Sequence, residues 1–191
     1  GKILSVFSNK GGNGTTTIAA NLADALVRLT GRKVAVVDLV LSHGDLTMFF
    51  NVNPAYSILD LAKNAEKADY DFLHTLLVRH ACGVYILADP PMIEDADQIS
   101  PAQVRGVLST LRSMFDYIIV DTPHQFDERT LTALEMSDVI LLVSLLNLPS
   151  LKNTQKCLEL FSRIGLRDER VRLVLSRYLP NDEIPKERIE G

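Results

Sequence analysis

Ser8-Asn9-Lys10-Gly11-Gly12-Asn13-Gly14-Thr15-Thr16-Thr17 is the stretch whose reading decides the fold. An apolar, β-branched run at residues 3–8 leads into it. After it, Ile18, Leu22, Ala25, Leu26 and Leu29 recur at helical spacing until Gly31 supplies a C-terminal stop. Three glycines in four positions between a strand and a helix suit a phosphate cradle. They let backbone N–H groups turn inward without Cβ clashes, and the helix N-terminus adds partial positive charge. The Thr16 hydroxyl is placed to ligate Mg²⁺, and Thr17 to hydrogen-bond a phosphate oxygen. The plainer alternative is a tight strand–helix turn with a polar helix start; the strand–loop–helix context and Lys10 favour the cradle.

Outward from this loop, short apolar runs alternate with amphipathic stretches. Residues 33–37, 84–87, 117–120, 139–143 and 171–175 read as strands, those at 117–120 and 139–143 being the most apolar and so predicted central. Residues 57–63 and 69–80 read as helices. Ser100 and Pro101 open another that runs to about Met114, and Ser150 caps one that carries Leu151, Thr154, Leu158 and Phe161 and closes at Gly165. Ile184-Pro185 begins a further helix. There is no repeat, low-complexity tract or linker. The alternation predicts an α/β domain with a doubly wound, mostly parallel sheet flanked by helices. Ligands of such sheets bind beyond the carboxyl ends of the strands, which directs attention to Asp38 after the second strand and Asp121 after Tyr117-Ile118-Ile119-Val120. An Asp after a buried strand is often only a turn residue, but three strand ends, at 8, 38 and 121, all present phosphate or metal chemistry.

The 191 residues are 47% hydrophobic and 23% charged, enough for one domain with a core that needs no disulfide or structural metal. A net charge of −4 weighs against nucleic acid as a partner. No stretch approaches a membrane span, and the chain enters a strand at once rather than a signal peptide. Cys82 and Cys157 lack ligand spacing and read as buried reduced thiols, consistent with a cytoplasmic setting. His43, His74, His80 and His124 have no mutual metal spacing and read as surface or structural residues; His124, just after the 117–121 strand, is within reach of a phosphate, with an incidental loop position as the equal alternative. Met48, Phe49 and Phe50 read as core packing in preference to a contact surface.

Lys10-Gly11-Gly12-x-Gly14-x-Thr16-Thr17 resembles the deviant P-loop of the MinD/ParA superfamily, KGGxGKT[TS]. The resemblance implies ATP and Mg²⁺ as cofactors. It makes Lys10 the catalytic lysine that reaches the partner's phosphates in a nucleotide-sandwich homodimer. Position 15, the ordinary P-loop lysine of that family, is Thr15. Lys10, Gly11, Gly12, Asn13, Gly14, Thr15, Thr16 and Thr17 form the implied nucleotide site, with Thr16, Asp38 and Asp121 on the metal side. The family's second-strand D-x-D segment has its water-orienting acid two residues after Asp38, where this chain has Val40.

Three further stretches are similar to the CpaE/TadZ branch of pilus-assembly ATPases. These are residues 39–50 with His43-Gly44-Asp45-Leu46, then Leu148-Pro149-Ser150-Leu151-Lys152-Asn153, and residues 171–178 followed by Glu183-Ile184. That branch's base-contacting Asn corresponds to Ser176, with Arg177 beside it. Its members carry an upstream receiver-like domain and continue past Gly191 through another strand, a base loop and a helix. Residues 1–191 are accordingly expected to form a single P-loop domain, cut short at the C-terminus and without the upstream domain.

Loss of the charge at position 15 leaves backbone N–H groups and Mg²⁺ to hold phosphate, whereas Val40 has no acceptor for a water. The leading expectation is therefore an ATP-binding protein that dimerises on nucleotide with weak or no hydrolysis. It would be cytoplasmic, recruited to the cell pole or the inner membrane face, and would place a pilus or secretion assembly. Direct membrane binding is left undetermined. Two alternatives stay open: an active partition or division-site ATPase with Asp45 or Glu128 replacing the missing acid, and an interaction module that binds no nucleotide.

Overall fold

A computed structural model describes residues 1–65, 69–166 and 168–177. Its seven strands are β1 (Lys2–Phe7), β2 (Val34–Asp38), β3 (Val78–Arg79), β4 (Tyr85–Leu87), β5 (Tyr117–Asp121), β6 (Val139–Leu145) and β7 (Val171–Ser176). They form one sheet in the order β3-β4-β2-β5-β1-β6-β7. Every pairing is parallel except β3 with β4. The doubly wound, mostly parallel architecture follows from strands buried on both faces. Along β2, Ala35 and Val37 join one apolar cluster while Val34 and Val36 join another, the period-two alternation of a strand covered on each side.

Among the described residues seven α-helices supply the cover: α1 (Thr15–Thr30), α2 (Leu46–Phe49), α3 (Ile58–Asn64), α4 (Tyr70–Leu76), α5 (Pro101–Met114), α6 (Glu128–Met136) and α7 (Leu148–Arg163). Ala19, Ala20 and Ala23 of α1 pack with Val6, Val36 and Ile119, and the small alanines bring the helix close to the sheet. Val104, Val107, Leu108 and Leu111 of α5 cover the other face. A third cluster, with Phe7, Leu142, Cys157 and Phe161, seats α7.

Several local expectations change. The helix predicted over 69–80 ends at Leu76, and the chain turns back as β3, the short antiparallel edge. The Asn147 side chain, not Ser150, caps α7, accepting from the Ser150 N–H at 3.0 Å, so the helix starts three residues earlier. Helices α2 and α6 lie in stretches to which the sequence pattern assigned no element. Of the strands expected to be central, β5 is the middle one of seven, whereas β6 lies one from the edge. Cys157 is buried but Cys82 is half-buried, its thiol 3.0 Å from His80 Nδ1. Phe50 packs inside, yet Met48 and Phe49 are exposed. The helix expected from Ile184-Pro185 lies outside the described residues.

Candidate functional site

The strand order places β1 between β5 and β6, so its carboxyl end opens onto the crevice where chain direction divides. The loop there is shaped by its glycines: Gly12 (φ 80°) and Gly14 (φ 91°) both take left-handed backbone that other residues adopt at a cost. The Asn13 side chain is buried and pins the turn, donating to Ser8 Oγ at 2.7 Å, while Asn9 donates to the Asn153 carbonyl of α7 at 2.6 Å. Helix α1 then begins with the Ile18 N–H bonded to the Gly14 carbonyl at 3.0 Å, without any side-chain cap. In α3, α4, α5, α6 and α7 a side chain accepts from the first turn (Ser57, Asp69, Ser100, Asp127 and Asn147). The first N–H groups of α1 thus remain for a ligand, the anion-receptive end of a helix.

Facing this loop are two carboxylates. Asp38 and Asp121 are direct register partners on β2 and β5, and both are fully buried. Burial raises the Asp121 pKa to about 7; the Thr16 and Thr15 hydroxyls hold it down while the charge of Asp45 pushes it up. Those hydroxyls lie near without completing hydrogen bonds, for among the described residues neither carboxylate oxygen of Asp121 has a partner. Burial also pushes Asp38 well above the usual carboxylate range, helped by Asp121 and Asp89, against the N–H groups of Leu46 (3.3 Å) and Val40 (3.0 Å) that it accepts. Two buried acids, one of which, Asp121, sits unpartnered beside threonine hydroxyls, form a donor set suited to a cation.

Among the described residues no group of three or more His, Cys, Asp or Glu forms a metal cage. Mg²⁺ keeps several waters and is bound through one or two carboxylates together with substrate phosphates. Thr16, Asp38 and Asp121 are the residues that would hold it, and the orphaned oxygens of Asp121 fit that role.

The structure also brings the C-terminal strand to the loop. Ser176 Oγ lies 3.4 Å from where a Cβ on Gly14 would stand, and Arg177, itself at φ 54°, donates to the Gly12 carbonyl at 3.1 Å. His124 packs its ring beside Gly11, the imidazole Nδ1 3.6 Å from a Cβ there. Lys10 is exposed and Val40 half-exposed. Of the two candidate replacement acids, Asp45 acts on Asp121 through its charge, whereas Glu128 is not among the groups that shift either buried acid.

Two residues of the site escaped the sequence reading. Asp89 lies two residues beyond the end of β4 and accepts from the Gly44 N–H at 3.1 Å. Gly44 is pressed so closely that a Cβ would come 2.3 Å from Asp38 Oδ2 and 2.6 Å from Asp89 Cγ. The strand-end rule that found Asp38 and Asp121 would have found Asp89 had it been applied to Asp89-Pro90-Pro91 as well.

A glycine cradle before an uncapped helix, facing paired acids on this strand order, defines a P-loop nucleotide-binding fold of the MinD/ParA type. Residues 1–172 match the AAA domain family, and the chain belongs to it. A ParA family ATPase from Chlorobium tepidum TLS superposes with a TM-score of 0.92 at 28% identity, over 99% of this chain and 79% of that one. The septum site-determining protein MinD complexed with Mg-ADP from Pyrococcus horikoshii OT3 superposes at 0.82 with 28% identity, over 99% and 76% of the two chains. In sequence, the septum site-determining protein MinD of Thermotoga maritima is 29% identical over 185 residues, 95% of this chain and 66% of its own. The chain spans 66%, 52% and 60% of the length of three curated relatives that it matches. Among the described residues no helix is long and apolar enough to cross a membrane.

Proposed function

We propose that this chain binds ATP with Mg²⁺ at the 8–17 loop, dimerises on the nucleotide, and hydrolyses it weakly or not at all. The observation that carries the reading is the orphaned, buried carboxylate of Asp121, beside Thr15 and Thr16 and paired in register with Asp38. Bound Mg²⁺ would neutralise phosphate charge there. The loop N–H groups and the uncapped start of α1 would hold the phosphates, Ser176 and Arg177 would border the nucleotide, and Lys10 would extend to a partner. Thr15 supplies no cation to the phosphates and Val40 no acceptor for a water. Similarity to the CpaE/TadZ branch at 39–50, 148–153 and 171–178 supports a cytoplasmic role in positioning a pilus or secretion assembly at the cell pole.

The influence of Asp45 on Asp121 favours a second reading, an active partition or division-site ATPase in which Asp45 substitutes for the missing acid. Light scattering of the purified protein with and without Mg·ATP tests the first reading. It predicts a doubling of mass on Mg·ATP, with steady-state phosphate release near background. Unchanged mass with no calorimetric binding would overturn it; rapid turnover abolished by Asp45→Ala would establish the second.

A further inference from the structure

We propose that the groove between the 42–60 segment and the loop after β4 docks a basic, apolar-anchored peptide segment of a protein partner. The groove encloses about 590 Å³. Along it stand Met48, Tyr56 and Ile93, exposed to 77%, 43% and 58%, with Met92 exposed to 54% beside them. Isolated exposed apolar side chains are ordinary, but several lining one concavity mark a contact surface. Methionines at its edge adapt to differently shaped apolar partners.

Charge selects the occupant. Residues 42–60 and 88–98 carry Asp45, Asp60, Asp89, Glu94, Asp95 and Asp97 and not one Lys or Arg, so the rest of this −4 chain is net basic. Among the described residues none of the six is paired with a lysine or arginine. Those lining the groove bond only to uncharged donors: Asp60 to Ser57, Asp89 to the Gly44 N–H and Asp95 to Gln98 Nε2. Nucleic acid and anionic lipid are repelled by such a surface, whereas Lys and Arg side chains flanking apolar anchors complement it. The floor is also linked to the buried acids, because Asp89 holds Gly44 against Asp38. A segment seated in the groove therefore bears on the loop that encloses Asp38.

The test needs no nucleotide, so its failure leaves the nucleotide reading standing, and the converse holds. A fluorescein-labelled amphipathic Leu/Lys peptide is titrated with the protein and followed by anisotropy, with a Leu/Glu peptide of the same pattern as control. Saturable binding of the Leu/Lys peptide alone is expected, weakened about tenfold by Ile93→Ser and about threefold by Asp95→Asn. Glu159→Gln on α7 should leave it unchanged, and amide exchange should slow in segments 46–57 and 88–98 on binding. The proposal is overturned by absence of binding, by wild-type affinity in both groove variants, or by equal weakening in Glu159→Gln. Protection of these segments in the peptide-free protein that rises with its concentration would assign the groove to a second copy of this chain instead, and would equally overturn it.

Discussion

Asp38 and Asp121 stand side by side at the carboxyl ends of β2 and β5, both fully buried, and among the described residues the two oxygens of Asp121 have no hydrogen-bond partner. An unfolded chain gives up these protons near the ordinary carboxylate pKa, whereas the folded protein keeps that of Asp121 until about pH 7. Between those limits the native state binds more protons than the unfolded one. The metal-free protein should therefore lose stability as pH rises from about 4 to 7, by an amount on the order of 4 kcal/mol at full effect. Urea midpoints across this window measure it. Asp121→Asn should shrink the slope and stabilise the metal-free protein at pH 7.

A cation at Asp121 must displace that proton. The affinity for Mg·ADP should then strengthen as pH climbs through about 7 and level off above it. Calorimetry in two buffers of different ionisation enthalpy should show proton release on binding at pH 6.5 and less at pH 8.

Gly44 is wedged between Asp38 and Asp89. A methyl group 2.3 Å from Asp38 Oδ2 and 2.6 Å from Asp89 Cγ forces the 39–45 loop outward. Gly44→Ala should cost about 2–3 kcal/mol in urea unfolding, with Mg·ADP affinity falling alongside. Gly165→Ala, where no atom of the described residues lies within 4 Å but φ is 77°, should cost about 1 kcal/mol and leave the affinity alone.

How far the sequence reached depends on the range of the interactions involved. The β1 loop and the strand ends at Asp38 and Asp121 were legible because local pattern dictates them: glycines where backbone must turn, and apolar runs that end in an acid. The fold class followed from strand–helix alternation. Helix α4 was read too long because Leu76, Leu77 and Val78 continue an apolar pattern that fits both a helix and the edge strand pairing Val78 with Ile86. Helix α6 was missed because Thr130 and Thr132, polar in sequence, are buried in it. Asp89 acquires its meaning only when Gly44, forty-five residues away, packs against it.

The two substitutions at the site make opposite predictions. Thr15→Lys places a cation beside the phosphates and should tighten Mg·ATP binding about tenfold while turnover stays low. Val40→Asp added to it supplies the acceptor for a water and should raise turnover at least about tenfold over Thr15→Lys alone. Steady-state phosphate release by the two variants decides this.

The central claim is that the site holds ATP and leaves it largely intact. Protein incubated with Mg·ATP, desalted, denatured and examined by mass spectrometry for released nucleotide tests this directly. About one ATP per chain, with little ADP, is the result predicted from Thr15, Val40 and the Asp38–Asp121 pair. Stoichiometric ADP would contradict the weak hydrolysis, and no nucleotide at all would contradict the site itself.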